Sequence, residues 1–477
     1  MPPSFQEKFE QAATLSDLTQ DQTRQALQTY QQLEPVQRAR LNPVAFARET
    51  GLTVERSIDL FVHGVRFGLF EFGWDSVCPL CGAITCNHEK LDALPEEHFY
   101  CAFCDQDAST TLDETIEVTF SPHPAQGETP FNPHQNLDEH LRYYTSSGFQ
   151  LWDHIQSYQG RNTHAHRLLK PGERGTLTFD ATPGELYRLV CFDTHSSVTL
   201  SITQQGATSP HTLSIQLDDQ GFSPLPEPVP AGTVTLTLLN RSASTNWIRL
   251  IQIHPDELQD FIQNRVEPVF EERLTASMLL SNQTFREVYD IGQLIPDLKL
   301  KIRHLTVLFT DLKGSTDLYE RTGDLEAYRL VRNHFSYLKQ AVHNHGGAVV
   351  KTMGDAIMAT FHEPAHSVAA ALEMMALMQR YTQEIHPEEL GLKIGIHTGP
   401  ALTVNAGGVL DYFGRTVNIA ARLQGLAQSG EICITQVIHS LHDIPDQFEK
   451  AGYRGETETV SLKGITGSRP ITRYGKP

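Results

Sequence analysis

The chain has 477 residues, and division by about 150 residues per domain predicts roughly three domains. Lys and Arg total 38 against 57 Asp and Glu, so the formal net charge is −19. This acidity argues against nucleic acid and anionic membranes as partners, because both need a positively charged surface. Hydrophobic residues make up 39% of the chain, which is enough to build cores and excludes a wholly disordered protein.

The sequence also predicts the cellular location of the protein. No apolar stretch approaches the roughly 18–20 residues that a membrane span requires. The first residues lack the basic end and apolar block of a secretory signal. Seven cysteines are too few for a disulfide scaffold in a chain of this length. We therefore expect a cytoplasmic protein without a membrane span.

Residues 1–72 are expected to form a helical module that resembles a helix-turn-helix. Asn42 can begin one short helix, which Gly51 can end, and Thr53 can cap the next helix. A DNA-binding role is one interpretation of such a pair. However, residues 1–110 hold 8 Lys and Arg against 16 Asp and Glu, which opposes DNA contact and favours a packing role.

Two C-x-x-C pairs in residues 73–112 predict a metal site. The pairs are 19 residues apart, and two such knuckles can deliver four thiolates tetrahedrally to one Zn²⁺. The expected ligands are Cys78, Cys81, Cys101 and Cys104. Four thiolates leave no open coordination position, so the zinc would be structural, as in a zinc ribbon. Cys86 and His88 lie between the pairs and could replace a ligand, and free thiols without metal are the alternative.

From residue 113 to 254 the hydrophobic pattern has a period of two. Seven or so short strands separated by turn-forming residues predict a β-sandwich-like domain. This domain could bind a regulatory small molecule or protein, mediate dimerisation, or only brace the connector, and no residue pattern in it identifies a ligand. A helical connector is expected at residues 255–299, where Leu274, Met278 and Phe285 fit an amphipathic helix.

Residues 300–477 carry most of the readable chemistry. Asp311 stands at the end of a predicted strand, and the following turn opens a helix whose free backbone amides can receive phosphate. The residues of this predicted phosphate cradle are Gly314, Ser315 and Thr316. Asp355 lies in the turn of a predicted hairpin, where it could meet Asp311 across adjacent strands. Two carboxylates so placed suit a pair of Mg²⁺ ions on a triphosphate.

The order of predicted elements in residues 300–477 is β-α-α-β-β-α-β, the layout of a ferredoxin-like palm. The expected fold of the whole chain is therefore multidomain α+β, with this palm at the C-terminal end. On the last predicted helix, Asn418 and Arg422 are four residues apart and so share a face.

Three sequence blocks, in order, resemble the class III nucleotidyl cyclase catalytic domain. They are F-T-D-L-x-G-S-T at 309–316, K-T-M-G-D at 351–355 and D-x-x-G-x-x-V-N-x-x-x-R at 411–422. The region ahead of them is similar to a domain of unknown function that precedes bacterial cyclase domains. The resemblance implies an adenylyl cyclase that converts ATP to 3′,5′-cyclic AMP and pyrophosphate with two metal ions.

The resemblance also implies roles for the matching residues. Asp311 and Asp355 would hold two Mg²⁺ or Mn²⁺ ions, with the Leu312 carbonyl assisting. Lys351 and Asp411 would read the base, because an ammonium can donate to adenine N1 and a carboxylate can accept from the N6 amine. Guanine presents N1–H and O6 instead, so a guanylyl cyclase is the less favoured alternative.

Three further residues complete the implied site. Asn418 would orient the ribose, Arg422 would stabilise charge on the α-phosphoryl group, and Lys463 would contact the terminal phosphates. In the family, one subunit supplies the metal-binding aspartates of an active site, and the other subunit supplies its base-reading and transition-state residues. A homodimer is therefore implied. A non-catalytic nucleotide-binding regulatory protein is the alternative from another class, but none of these motif residues is lost.

Overall fold

The computed structural model describes residues 3–88, 94, 97–127, 131–206, 209–257, 270–289, 299–313, 324–385, 391–406 and 409–477. Its architecture is mixed α+β, with sheets in both the N-terminal and the C-terminal parts. None of the helices within these ranges is long and apolar enough to cross a membrane.

Helices at the start of the chain pack around an apolar core. Their bounds are α1 Phe5–Leu15, α2 Gln20–Gln32, α3 Pro35–Ala39, α4 Pro43–Thr50 and α5 Val54–Arg66. The Asn42 side chain accepts from Val44 N at the start of α4, and Gly51 ends that helix with a φ of 69°. Thr53 caps α5, so both helices expected from the local capping residues are present.

A small antiparallel sheet follows the helices. The strands of this part are β1 Phe70–Val77, β2 Ile84–His88, β3 His98–Cys101, β4 Gln106–Ser109 and β5 Ile116–Pro122. The sheet order is β2-β1-β5, whereas β3 and β4 pair with each other. Phe120 of β5 stands opposite Phe72 of β1 and packs on Phe61 of α5. Strand β5 therefore joins the helical core, across the domain boundary expected at residue 112.

The next part of the chain is rich in strands. Its elements are α6 Leu137–Tyr143, α7 Trp152–Asn162, β6 Thr163–Leu169, β7 Arg174–Ala181, β8 Leu186–Cys191, β9 Ser196–Gly206, β10 His211–Asp218, β11 Gly221–Ser223, β12 Val229–Asn240 and β13 Asn246–Ile253. The hydrogen-bonded order is β11-β10-β12-β9-β8-β13-β6, with β7 on β12. Exposed and buried residues alternate along β7, as its sequence predicts. These strands enclose an apolar core of their own, so the sheet-rich character of this region is confirmed.

A buried carboxylate ties this sheet-rich part to α6. Asp193 accepts hydrogen bonds from His134 Nε2 at 2.8 Å, His140 Nε2 at 3.0 Å and Tyr144 Oη at 3.0 Å. It also accepts from the backbone N–H of Trp247, at the start of β13, at 3.0 Å. Burial lowers the pKa of His140 to about 4, so this imidazole is neutral near pH 7. Because both carboxylate oxygens are satisfied, we interpret the cluster as structural.

The segment expected as a helical connector forms two short helices. They are α8 Ala276–Leu280 and α9 Gln283–Val288. Asn282 separates them, because its side-chain oxygen accepts from Phe285 N and so begins the second helix. Leu279 and Phe285 are buried in the same core as the first helices. The segment therefore packs as part of the N-terminal core, while residues 258–269 and 290–298 lie outside the described ranges.

The C-terminal part is built on one mixed sheet. Its elements are β14 Lys299–Lys313, α10 Asp324–Asn344, β15 Ala348–Met353, β16 Ala356–Phe361, α11 Pro364–Ile385, β17 Gly391–Ala406, β18 Val409–Phe413, α12 Arg415–Leu426, β19 Ile432–Thr435, α13 Gln436–His439, α14 Ile444–Lys450, β20 Arg454–Ser461 and β21 Ser468–Gly475. The order is β15-β16-β14-β17-β19-β21-β20, and β18 pairs with β17.

Each face of this sheet packs against a different part of the chain. Leu308 and Leu312 of β14 are buried in the core that contains α10 and α11. Val307 and Phe309, which alternate with them, are buried in the core formed by the N-terminal helices. The N-terminal region and α12 therefore share one face of the C-terminal sheet, and α10 and α11 cover the other.

Candidate active site and four-cysteine cluster

The two carboxylates predicted to hold metal lie at one edge of the C-terminal sheet. Asp311 is near the end of β14, and Asp355 is in the turn between β15 and β16. Phe309 stands opposite Met358, so the same antiparallel register continued by two residues places Asp311 beside Ala356, next to Asp355. The register therefore brings both carboxylates to the same end of adjacent strands.

The surroundings of these carboxylates suit a cation. Gly354 adopts a φ of 64° in the tight turn that presents Asp355. Asp355 Oδ2 is buried, and no described residue donates a hydrogen bond to it. A buried carboxylate oxygen without a partner is costly, and a divalent cation would satisfy it. A leucine side chain has no ligand atom, so only the backbone carbonyl of Leu312 could contribute a ligand.

Lys393 is a charged residue of this site that the sequence analysis missed. Its ammonium nitrogen lies 2.9 Å from Asp311 Oδ2, and the two residues stand opposite each other on β17 and β14. The sequence of β17 shows only a period-two alternation, which indicates the face on which Lys393 lies. It does not show that β14, and with it Asp311, is the neighbouring strand. This cation partly neutralises Asp311 and lies within reach of any anionic group held there.

The two predicted base-reading residues form an ion pair. Lys351 Nζ lies 2.5 Å from Asp411 Oδ2, and the two side chains are 39% and 17% exposed, respectively. Asp411 Oδ1 also accepts a hydrogen bond from Tyr412 N at 2.8 Å. The pair therefore presents one ammonium and one carboxylate side by side at a partly open position, where a donor and an acceptor can face a planar base together.

Helix α12 holds the two predicted catalytic residues, Asn418 and Arg422. Ala420 faces β17, where Gly395 permits a close approach, because a Cβ there would lie 2.6 Å from Ala420 O. Only glycine allows backbone contact of this kind without displacing the helix. Asn418 and Arg422 are exposed on the opposite side. The helix is therefore held by its buried face and leaves both polar side chains free to meet another molecule.

The remaining predicted substrate residues are less fully described. Lys463 is exposed in the turn between β20 and β21. Gly314, Ser315 and Thr316 lie outside the described residues, so the phosphate cradle stays a prediction. The structure thus brings Asp311 and Asp355 to one edge of the sheet and pairs Lys351 with Asp411.

Four buried cysteine side chains converge between β1 and the hairpin of β3 and β4. The four sulfur atoms, which lie within 4.8 Å of one another, belong to Cys78, Cys81, Cys101 and Cys104. Two of the separations, Cys78–Cys104 and Cys81–Cys101, are 3.6 Å, much longer than the disulfide bond of about 2.05 Å. Four thiolates at about 2.3 Å from a tetrahedral Zn²⁺ would lie roughly 3.8 Å apart, so the cluster fits zinc.

The alternative zinc ligands are placed differently. Cys86 is exposed on β2 and does not belong to the group of sulfur atoms found among the described side chains. The side chain of His88 lies outside the described part of the structure. The described geometry therefore favours a ligand set of the four clustered cysteines.

Comparison with known families divides the chain into two parts. Residues 6–287 match the family described as "Family of unknown function (DUF5939)". Residues 299–474 match the family described as "Adenylate and Guanylate cyclase catalytic domain". The resemblance read from the three sequence blocks, and from the region ahead of them, is thereby confirmed.

Individual relatives cover only parts of the chain. The adenylate cyclase of Anabaena cylindrica is 28% identical over 34% of this chain and 36% of its own length. The receptor-type guanylate cyclase gcy-23 of Caenorhabditis elegans is 25% identical over 48% of this chain and 22% of its own. The solved adenylyl cyclase CyaB of P. aeruginosa is 25% identical with a TM-score of 0.33, over 38% of this chain and 96% of that one. The chain thus spans well under half the length of these two curated relatives.

Proposed function

Because the chain belongs to the family of unknown function DUF5939 and carries an adenylate and guanylate cyclase catalytic domain at residues 299–474, we propose that it is an adenylyl cyclase. The reaction would convert ATP to 3′,5′-cyclic AMP and pyrophosphate. The single observation that supports adenine as the base is the Lys351–Asp411 pair, whose nitrogen and oxygen lie 2.5 Å apart. The N-terminal domains would regulate this activity.

The preference for adenine follows from the hydrogen-bonding edges of the two bases. Adenine N1 is an acceptor and its N6 amine is a donor, so the Lys351 ammonium and the Asp411 carboxylate complement both. Guanine places a donor opposite the ammonium and an acceptor opposite the carboxylate. Each mismatched, partly buried polar group would cost about 1–3 kcal/mol, which is enough for a clear preference.

The carboxylates fit divalent cations on the triphosphate. Asp311 and Asp355 would hold two Mg²⁺ or Mn²⁺ ions, and the buried Asp355 Oδ2, to which no described residue donates, supports this assignment. When bound, such ions would lower the pKa of the ribose 3′-hydroxyl and neutralise phosphate charge. Lys393 would exchange its contact with Asp311 for a phosphate oxygen, and Lys463 would contact the terminal phosphates.

The exposed residues of α12 would act on the transition state. Arg422 would donate to the α-phosphoryl oxygens as their negative charge grows, and Asn418 would orient the ribose for in-line attack by its 3′-oxygen. We propose that α12 of one subunit meets the carboxylates of a second copy, so that a homodimer holds two active sites. A ferredoxin-like palm is the arrangement that we propose for this catalytic domain.

The substrate assignment is tested with the purified full chain, Mn²⁺ or Mg²⁺, and ATP or GTP in parallel. We expect cyclic AMP as the main product, since the ion pair complements adenine. Lys351→Glu should lower the ATP-to-GTP ratio of kcat/KM by at least about tenfold, because the donor to N1 becomes an acceptor. Lys339→Glu, a charge reversal at an exposed position of α10, should leave that ratio unchanged.

Other outcomes would change the assignment. No cyclic nucleotide from either substrate would remove the enzyme proposal. Cyclic GMP alone would make the chain a guanylyl cyclase, and an unaltered ratio in Lys351→Glu would deny Lys351 its role in reading the base.

We also propose that the four-cysteine cluster holds one structural Zn²⁺ in a zinc-ribbon-like module. The purified chain should contain about one zinc per chain, and Cys81→Ser should release it and lower Tm by about 10 °C. Cys86→Ser is the matched control, because Cys86 is exposed and lies outside the group of four sulfur atoms. Metal analysis and thermal unfolding measure both effects. Loss of zinc in Cys86→Ser, or full retention in Cys81→Ser, would contradict the proposed ligand set.

A further inference from the structure

One short helix of the N-terminal core contacts both strands that carry the base-reading pair. Gln283 Oε1 on α9 accepts a hydrogen bond from Val349 N at 2.8 Å, and Val349 lies two residues before Lys351. Arg286 Nη2, one turn later, donates to the Leu410 carbonyl oxygen at 2.6 Å, and Leu410 directly precedes Asp411. Because Gln283 and Arg286 are three residues apart, they lie on the same face of α9.

In the described sheet, β15 and β18 are not neighbouring strands, so no backbone hydrogen bonds of the sheet join them. In the sheet order, β16, β14 and β17 lie between β15 and β18. The β15–β16 register is also irregular between Val349 and Lys351, directly ahead of the base-reading lysine. The backbone hydrogen bonds of the sheet therefore do not by themselves set the distance between Lys351 and Asp411. Helix α9 bridges the two strands at the positions next to these side chains.

Helix α9 is firmly attached to the N-terminal core. Phe285 is 3% exposed, and its ring centroid lies 5.6 Å from that of Phe72 and 6.4 Å from that of Trp74. Asn282 Nδ2 donates to Asp59 Oδ1 of α5 at 3.0 Å. A movement of the N-terminal core would therefore carry α9, and with it both hydrogen bonds, as one unit.

Both bridging side chains are held in place by their own neighbours. Glu287 Oε1 accepts from Gln283 Nε2 at 2.6 Å, which orients the amide so that its oxygen faces β15. Arg286 Nη1 donates to the Leu280 carbonyl at 3.2 Å, and the guanidinium carbon lies 5.9 Å from the Tyr412 ring centroid. Both side chains are therefore already ordered before they contact β15 and β18, so these contacts cost little further side-chain entropy.

We propose that Gln283 and Arg286 are positioning residues that hold Lys351 and Asp411 at the separation adenine requires. The N-terminal domain would then regulate nucleotide affinity and base choice, rather than the rate of the chemical step. This inference rests on the proposed function, because it takes Lys351 and Asp411 as the base-reading pair.

The test uses Arg286→Ala and Gln283→Ala in the full chain, with ATP and GTP dissociation constants measured directly beside kcat and KM. We expect the ATP dissociation constant and KM to rise by about tenfold in Arg286→Ala, because a charge-assisted hydrogen bond is lost. The ATP-to-GTP preference should fall in both variants, while kcat at saturating ATP should change less than about threefold. Arg286→Lys, which keeps a positively charged donor group, should recover part of the ATP affinity.

Arg48→Ala is the matched control for removal of an arginine from the N-terminal helices. Arg48 is exposed on α4 of the N-terminal helices and forms an ion pair with Glu271. It should change neither nucleotide affinity nor base preference. Lower Tm with an unaltered ATP dissociation constant and ATP-to-GTP ratio in both α9 variants would overturn the inference. If the wild-type chain binds ATP but makes no cyclic nucleotide, the proposed reaction fails, while the binding constants still decide the positioning role.

Discussion

Asp311→Ala and Asp355→Ala are each expected to abolish cyclic nucleotide formation. Each removes one of the two carboxylates that the register of β14 and β16 brings to the same edge of the sheet. Loss of divalent cations would remove several kcal/mol of charge stabilisation, which corresponds to a fall in kcat of about 1000-fold or more. Initial rates with saturating Mn²⁺ and ATP measure the effect.

The fold should survive the first of these changes. The Asp311 side chain is 33% exposed, and its ion-pair partner, Lys393, is also partly exposed and can be solvated when the carboxylate is removed. Thermal unfolding should therefore show a Tm within about 3 °C of the wild-type value for Asp311→Ala. Asp446→Ala, at an exposed position of α14, is the matched control and should keep full activity. Near-normal rates in both carboxylate variants would remove the metal assignment.

Mixing two inactive variants is expected to restore activity. Arg422→Ala alone should lower kcat by about 100- to 1000-fold, as does removal of a group that stabilises transition-state charge. Arg422 is exposed on α12, so its substitution removes no packing from the cores. If each active site takes its carboxylates from one subunit and Arg422 from the other, a dimer of one Asp311→Ala chain and one Arg422→Ala chain has one intact site.

The size of the recovery follows from random assembly. Half of the dimers in an equimolar mixture are mixed, and each carries one working site of two, so about a quarter of the wild-type rate should return. The matched control is a mixture of Asp311→Ala with Asp355→Ala, in which both sites of every dimer lack a carboxylate. Coexpression of each pair ensures subunit exchange. Failure of the first mixture to exceed the second would contradict the shared active site.

Local features of the sequence predicted several parts of this structure directly. Asn42, Gly51 and Thr53 mark helix ends, because caps depend on hydrogen bonds within one turn of the chain. Gly354 and Asp355 form the turn of the predicted hairpin, because a positive φ is easiest for glycine. The order of the motif residues was also sufficient to identify the catalytic domain.

Other features were decided by the tertiary structure alone. Lys393 meets Asp311 across 82 residues of sequence, and Lys351 meets Asp411 across 60. The contact of Arg286 with the Leu410 carbonyl spans 124 residues. Alternation within a strand shows which residues share a face, but it does not show which strand lies beside it.

Sequence and tertiary structure therefore determined different features of this protein. The sequence by itself determined which chemical groups the candidate site contains, because the side-chain type at each motif position does not depend on the fold. Only the tertiary structure decided that the presumed connector is buried in the N-terminal core and contacts the strands of the base-reading pair. Such docking depends on complementary apolar surfaces and on hydrogen bonds between distant segments, for which short-range patterns carry no signal.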